Sequence, residues 1–166
     1  QESFGTTALA DAVNSIIVVS EIAPEHQGFI ESRDMFFLTT VDHRGFPTCS
    51  YKGGTPGFVK VVDNKTLAFP SYDGNGKFLS MGKITQNNKV GMLFIDFETP
   101  HRVRVHGTAS VHRDDPLLQN YHEAQLIVRV TIEEIFINCP RYIHRYTRQQ
   151  TSQYVPQTHC ETPLAQ

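Results

Sequence analysis

The pattern of apolar and polar positions along the chain changes character near residue 33. Before it, apolar residues recur at helical spacing over 8–19, and a second short helix is predicted over 24–32, begun by its proline. After it, β-branched and aromatic runs alternate with turn signals such as "DHRG", as in antiparallel hairpins. The predicted strands cover 35–42, 46–53, 58–63, 66–71, 90–97, 101–113 and 126–138. Short strands at this spacing with few helices favour a closed or nearly closed antiparallel barrel.

Two further helices are expected between the later strands. One is predicted from about Gly76 to Gln86, and the other from about Pro116 to Gln125 with Asp114 or Asp115 as its N-cap. The chain shows no internal repeat and no linker. We therefore interpret it as one domain.

The chain of 166 residues is predicted to form a single domain over 1–166. Its N-terminal helices occupy 1–33, and a polar tail with two prolines occupies 147–166. This tail is expected to wrap the surface or to pack on a partner.

Composition and charge argue against several classes of protein. The formal net charge of -2 offers no basic excess for nucleic acid or an anionic membrane. A nucleic-acid role would also need a basic groove with stacking aromatics, which the pattern lacks. No run approaches the ~20 apolar residues that span a bilayer. The three cysteines match neither a zinc knuckle nor a CxxC pair, which favours a reducing cytoplasm, and the eight histidines lack the spacing of metal ligands.

The stretch "SYDGNGKFLSMGKI" at 71–84 allows two interpretations. Asn75 can cap a helix on which Lys77 and Ser80 share a face near the N-terminus, where unpaired amides and the helix dipole favour an anion. A phosphate there would meet an ammonium, a hydroxyl and backbone donors together. Alternatively, the stretch is an ordinary Asn-Gly turn with a solvated lysine. Local chemistry leaves both interpretations open.

A second candidate is the polar row in "PTCSYKG". Strand alternation places Thr48, Ser50 and Lys52 on one face, with Cys49 and Tyr51 on the other. Such a row, ending in a cation, suits an anionic or carbonyl-rich ring edge. Alternatively, Lys52 protects an edge strand from unwanted pairing. Cys49 is expected to be a small buried residue and not a nucleophile.

Two arginines lie at positions where their side chains are expected at the surface. In "HRVRVHG" alternation places Arg102 on an outer face and turns Val103 and Val105 to the core. Arg141 follows a strand end and a proline, where side chains are readily presented to a neighbour. The alternatives are a solvated outer face for Arg102 and local packing under the tail for Arg141.

An ordered series of motifs resembles the pyridoxamine 5'-phosphate oxidase-like family of FMN-binding split-barrel proteins. The similarity runs from about residue 29 to 113 and resumes at 138–145. The motifs are "RGFP", "YKGG", "PGFVKV", "LAFPSYDGNG", "VGMLFIDF" and "NCPRYI".

The resemblance implies a mainly β fold, a six-stranded antiparallel split β-barrel of Greek-key type with a few flanking α-helices. It also implies a homodimer with one FMN per subunit in a cleft between subunits. The strands that end in "TCSYKG" and "AFPSYDG" would flank the cofactor, and the loop and helix opened by "DGNGKFLS" would hold its phosphate. The candidate cofactor-binding residues are Ser50, Tyr51, Lys52, Phe69, Pro70, Ser71, Tyr72, Asn75, Lys77, Ser80, Arg102 and Arg141.

The resemblance also implies a function, an FMN-dependent oxidoreductase that passes hydride or electrons between FMN and an unidentified small substrate. Two departures modify this expectation. The basic residue is Lys77, whereas the family carries it where Gly76 or Leu79 stands, so the side-chain path to the phosphate differs or the binding is weaker. The chain also ends in "YVPQTHCETPLAQ" instead of an Arg-rich segment, which argues against vitamin B6 oxidation. The alternative is a non-enzymatic flavin-binding or sensing protein.

Overall fold

Seven strands form one antiparallel sheet in the computed structural model, which describes residues 18–72, 79–157 and 162–163. The strands are β1 (Met35–Val41), β2 (Pro47–Gly53), β3 (Lys60–Asp63), β4 (Thr66–Ser71), β5 (Lys89–Asp96), β6 (His101–His112) and β7 (Leu126–Ile137). The helices are α1 (Pro24–Glu31), α2 (Leu79–Gln86) and a short 3-10 helix (Pro116–Asn120). The mainly β fold with few helices confirms the predicted class, with seven strands in place of six.

The connection between β2 and β3 requires the sheet to curl. The strand order is β2-β1-β5-β6-β7-β4-β3, so strands consecutive in the chain lie at opposite ends of the sheet. A flat sheet of this order would separate them by about 29 Å, whereas the segment 54–59 spans at most about 25 Å even when fully extended. The sheet therefore closes on itself as a split barrel.

The barrel interior is organised around the ring of Phe36, which is completely buried. Its centroid lies 5.0 Å from that of Phe69 on β4 and 5.2 Å from that of Phe94 on β5. Phe58, in the connection after β2, stacks on it at 5.8 Å. The contact of Phe36 with Phe69 brings opposite sides of the sheet together, because β1 and β4 lie near its two ends in the strand order.

The predicted first helix does not extend to its expected end at residue 19. The backbone N–H and C=O of Val19 both pair with Ile135 on β7, at 3.0 and 2.8 Å, so this residue is extended. The β-branched side chain of valine suits this conformation. Residues 8–17 of the predicted helix and the expected helix start at Gly76 lie outside the described residues.

The helix predicted over Pro116–Gln125 was also too long. Only Pro116–Asn120 is helical, as a 3-10 helix whose cap is Asp115, with its carboxylate accepting from the N–H of Leu117 at 2.9 Å. Tyr121 is extended and Glu123 has a φ of 58°. The helix does not reach Gln125, because the N–H of Gln125 donates to the carbonyl of Ser71 at 3.1 Å, next to the first pair of β7 with β4.

No helix within the described ranges is long and apolar enough to cross a membrane.

Replacing the central ring tests this account of the core. We expect Phe36→Ala to lower the free energy of unfolding by about 3–5 kcal/mol, because it removes a fully buried ring that three other rings contact. The matched control is Phe46→Ala, whose ring is 61% exposed and should change stability by about 1 kcal/mol or less. Urea unfolding followed by circular dichroism measures both. Equal effects of the two substitutions would contradict the assignment of Phe36 to the core.

Candidate functional site

The polar row of β2 faces the barrel interior. Ser50 pairs with Leu38 and Lys52 with Phe36, and both of these β1 partners are completely buried. The three residues of the row share one face, as the alternation predicted, and this face is the inner one because directly opposed residues of neighbouring strands share a face. Cys49, expected to be buried, is exposed, since it belongs to the outer face of this edge strand.

Helix α2 lies over this row and contacts it through Ser80. The hydroxyls of Ser50 and Ser80 are 3.1 Å apart, and the Ser50 hydroxyl also lies 3.3 Å from the carbonyl oxygen of Leu38 as a donor to it. Met81 and Ile84 on the same helix are buried in the core. The apolar residues of α2 therefore anchor the helix, and this holds the Ser80 hydroxyl against β2.

Lys83, which was not predicted from the sequence, places a cation at the same polar row. The ammonium of Lys83 donates to the hydroxyl of Thr48 at 2.9 Å, and that hydroxyl lies 3.0 Å from the hydroxyl of the buried Thr40. Lys83 follows Ser80 by three residues, a spacing that places both on one face of a helix. This spacing could have identified Lys83 as a candidate from the sequence.

A pocket of about 320 Å³ opens between the ends of β2 and β4. Six of the predicted cofactor-binding residues line it: Tyr51, Lys52, Phe69, Pro70, Ser71 and Tyr72. The other lining residues are Gly53, Phe58, Met81, Ser152, Tyr154 and Val155, none of which was singled out from the sequence. The volume lies at the lower end of the range of small-molecule pockets.

Burial shifts the pKa values of two ionisable groups in this pocket. It lowers the pKa of Lys52 below its usual 10.5, because the charged ammonium loses hydration. It raises the pKa of Tyr72 to about 12, so this phenol stays protonated and can donate a hydrogen bond. The described lining contains no carboxylate, imidazole or thiol. The pocket thus combines a cation and hydroxyl donors with an apolar wall of Phe58, Phe69 and Met81.

The C-terminal segment closes one side of the pocket. The Nε of Arg145 donates to the carbonyl of Glu98 at 3.1 Å, the N–H of Tyr146 donates to the carbonyl of Phe97 at 3.1 Å, and Arg148 forms an ion pair with Asp34. These contacts fix the start of the segment on the barrel surface. Its continuation over 152–155 then reaches the pocket.

The remaining predicted residues lie elsewhere. Arg102 is half-buried on β6, between the buried Val103 and the turn before the strand, and Arg141 is exposed after β7. Neither lines this pocket. Asn75 and Lys77 lie outside the described residues.

The described ranges hold no group of three or more histidine, cysteine, aspartate or glutamate side chains placed to bind a metal ion.

Comparison with solved structures places the fold among known split barrels. A protein of Lactobacillus delbrueckii named for pyridoxamine 5'-phosphate oxidase is 26% identical, with a TM-score of 0.59 over 71% of this chain and 95% of that one. HupZ of Group A Streptococcus is 20% identical, with a TM-score of 0.57 over 70% and 93%. An FMN-binding protein of Syntrophomonas wolfei is 11% identical, with a TM-score of 0.53 over 83% and 96%. No curated protein sequence matches the chain.

The family model that matches the chain is described as pyridoxamine 5'-phosphate oxidase and covers residues 22–147. This range includes all seven strands, both α-helices and the polar row of β2. It stops before the part of the C-terminal segment that lines the pocket. The chain therefore belongs to the pyridoxamine 5'-phosphate oxidase family.

Proposed function

We propose that the protein binds FMN and acts as an oxidoreductase that exchanges hydride or electrons with a small organic substrate. The observation that carries this proposal is the pocket at the ends of β2 and β4, where six residues chosen from the sequence lie together. Membership of the family and the FMN-binding structural neighbour from Syntrophomonas wolfei support it.

The donor set of the pocket fits a flavin ring. The apolar wall formed by Phe58, Phe69 and Met81 suits the faces and the dimethylbenzene edge of such a ring. Lys52 and the protonated phenol of Tyr72 offer donors to the carbonyl-rich edge. A half-buried lysine with no carboxylate in the described lining is poised for a ligand that carries negative charge.

The hydroxyls of Ser50 and Ser80 are the proposed binding site for the ligand's phosphate. They lie together where α2 meets β2, and Lys83 holds a cation on the same row. Hydrogen bonds to a charged oxygen are about twice as strong as neutral ones, so two hydroxyls and nearby ammonium groups can select a phosphate. Asn75 and Lys77 complete the proposed set from the sequence.

The protein's contribution to the chemistry would be binding, orientation and exclusion of water. When bound, FMN supplies the redox chemistry. Lys52 would hold negative charge at the ring's polar edge, and Tyr154 with Val155 would shield one side of the pocket from solvent.

A non-enzymatic flavin-binding protein is the second candidate, favoured by the absence of any carboxylate, imidazole or thiol in the described lining. Anaerobic mixing of the flavin-loaded protein with NADH or NADPH separates the two functions. Bleaching of the flavin absorption, followed by reoxidation with small acceptors, supports an enzyme. A flavin that stays oxidised with every donor favours a binding or sensing role.

The family resemblance also motivates a proposal about assembly. We expect a homodimer with the cofactor at the interface, so that Arg102 and Arg141, which lie away from the pocket of their own chain, are available to a partner. Light scattering of the purified protein measures the oligomeric state.

The proposed phosphate-binding role of Ser50 and Ser80 predicts a difference between flavins with and without a phosphate. We expect Ser50→Ala combined with Ser80→Ala to weaken FMN binding about ten-fold or more, because two hydrogen bonds to a charged group are lost. Riboflavin, which lacks the phosphate, should lose much less. Titration of flavin fluorescence measures both ligands.

Ser110→Ala is the matched control for this prediction, because Ser110 is exposed on β6 and should leave both affinities unchanged. An equal loss for FMN and riboflavin in the double variant would show that these hydroxyls do not hold the phosphate.

The lowered pKa of Lys52 predicts a pH dependence of flavin affinity. The Lys52 side chain attracts negative charge on the flavin only while its amine is protonated. Flavin affinity should therefore fall as the pH rises through the pKa of Lys52, which lies below 10.5. Tyr72, with a pKa of about 12, stays protonated over that range. We expect Lys52→Met to bind more weakly and to lose this part of the pH dependence.

Titrations of the flavin itself are common to the wild type and Lys52→Met, and they cancel in the comparison. Lys65→Met, at a lysine whose side chain is 51% exposed, serves as the matched control. Identical pH profiles for the wild type and Lys52→Met would refute the role given to Lys52.

A further inference from the structure

A second chamber, of about 700 Å³, adjoins the proposed flavin pocket. The C-terminal segment from Arg148 to Val155 forms one wall, and the end of β2 with Gly54 forms the other. The two cavities share Tyr51, Gly53, Ser152, Tyr154 and Val155. A molecule in the second chamber would therefore contact the same side chains as the bound cofactor.

The chamber has fixed walls. The N–H of Gly54 donates to the carbonyl of Asp34 at 2.9 Å, which holds the end of β2 against the residues before β1. Arg148 then ties the C-terminal segment to the carboxylate of the same Asp34. One residue thus joins both walls, and the N–H of Tyr154 donates to the hydroxyl of Ser152 at 3.2 Å within the turn that faces them.

The electrostatics of the chamber are close to neutral. The only charged side chains in its described lining are Asp34 and Arg148, and they pair with each other. The other polar side chains of the segment are amides and hydroxyls, namely those of Gln150, Thr151, Ser152 and Gln153. Such groups donate and accept hydrogen bonds, but they do not offset the desolvation of a full charge.

We propose that this chamber is the substrate site and that it takes small, uncharged, polar molecules without a phosphate or carboxylate. The paired Asp34 and Arg148 set this selectivity, because each cancels the field of the other. The inference rests on the proposed function, since it treats the adjoining pocket as the flavin site. It goes further by assigning a substrate class and a second site to the C-terminal segment, beyond the range of the family model.

Three ring compounds of nearly equal size and different charge test the proposal: nicotinamide, nicotinate and the 1-methylnicotinamide cation. Their dissociation constants are measured by NMR titration on the FMN-loaded wild type, on Asp34→Asn, on Arg148→Gln and on the double variant. In the wild type we expect nicotinamide to bind most tightly. Asp34→Asn should favour nicotinate and Arg148→Gln the cation, each by about three-fold or more in relative affinity.

The double variant is the matched control, because it removes both charges and should restore the preference for the neutral ring. The ion pair is partly exposed, at 53% and 33% for Arg148 and Asp34, so these variants should fold. Melting temperatures within a few degrees of the wild type verify this. The same order of affinities in all four proteins, or no binding of any ring at millimolar concentration, overturns the proposal.

Titration of FMN into each variant separates this proposal from the proposed function. Neither Asp34 nor Arg148 lines the flavin pocket, and the contacts of Arg145 and Tyr146 still hold the C-terminal segment on the barrel, so FMN affinity should change little in all four proteins. If the wild type itself fails to bind FMN, the proposed function fails. If FMN binds equally to all four and the rings show no ordering by charge, the substrate-site proposal alone fails.

Discussion

The candidate site depends on the register between β1 and β2. Pairing of Leu38 with Ser50 and of Phe36 with Lys52 turns the polar row of an edge strand toward the barrel interior. A slip of one residue would reverse every side chain of β2 and would place Cys49 and Tyr51 where α2 now meets Ser50. The turn between β1 and β2 resists such a slip, because the N–H of Asp42 donates to the carbonyl of Phe46 at 3.0 Å and the Asp42 carboxylate accepts from the N–H of Phe46 at 2.9 Å.

The barrel and the site are stabilised by different kinds of interaction. The fully buried rings of Phe36 and Phe69 join the distant strands β1 and β4 in the interior, whereas hydroxyls, Lys52 and Lys83 lie on the polar row where α2 covers β2. The pocket lies between these regions and takes an apolar wall from the first and a cation from the second. Its described lining lacks carboxylates, imidazoles and thiols, which is compatible with a protein that leaves the redox chemistry to a cofactor.

The C-terminal segment shows why some of the site escaped prediction. Its polar composition indicated a surface location, but composition does not say which part of the surface. The position follows from three contacts with partners far away in sequence, to Glu98, to Phe97 and to Asp34. The end of the 3-10 helix before β7 was predicted wrongly for a similar reason. The pairing of Gln125 with Ser71 is a long-range contact, and it prevents the helix from continuing to Gln125.

The sequence by itself determined the strands and the alternation on β2 and β6, because the two-residue period of a strand and the turn signals are local properties. Six residues of the pocket were also named from the sequence, mainly through the resemblance of its motifs to a known family. Only the tertiary structure decided that Ser50 meets Ser80, that Lys83 contacts Thr48 on the same row, and that the segment around Tyr154 closes the pocket. It also decided that Arg102 and Arg141 lie apart from it. These outcomes depend on how the sheet curls and where the chain end docks, and such long-range packing leaves no local periodic signal.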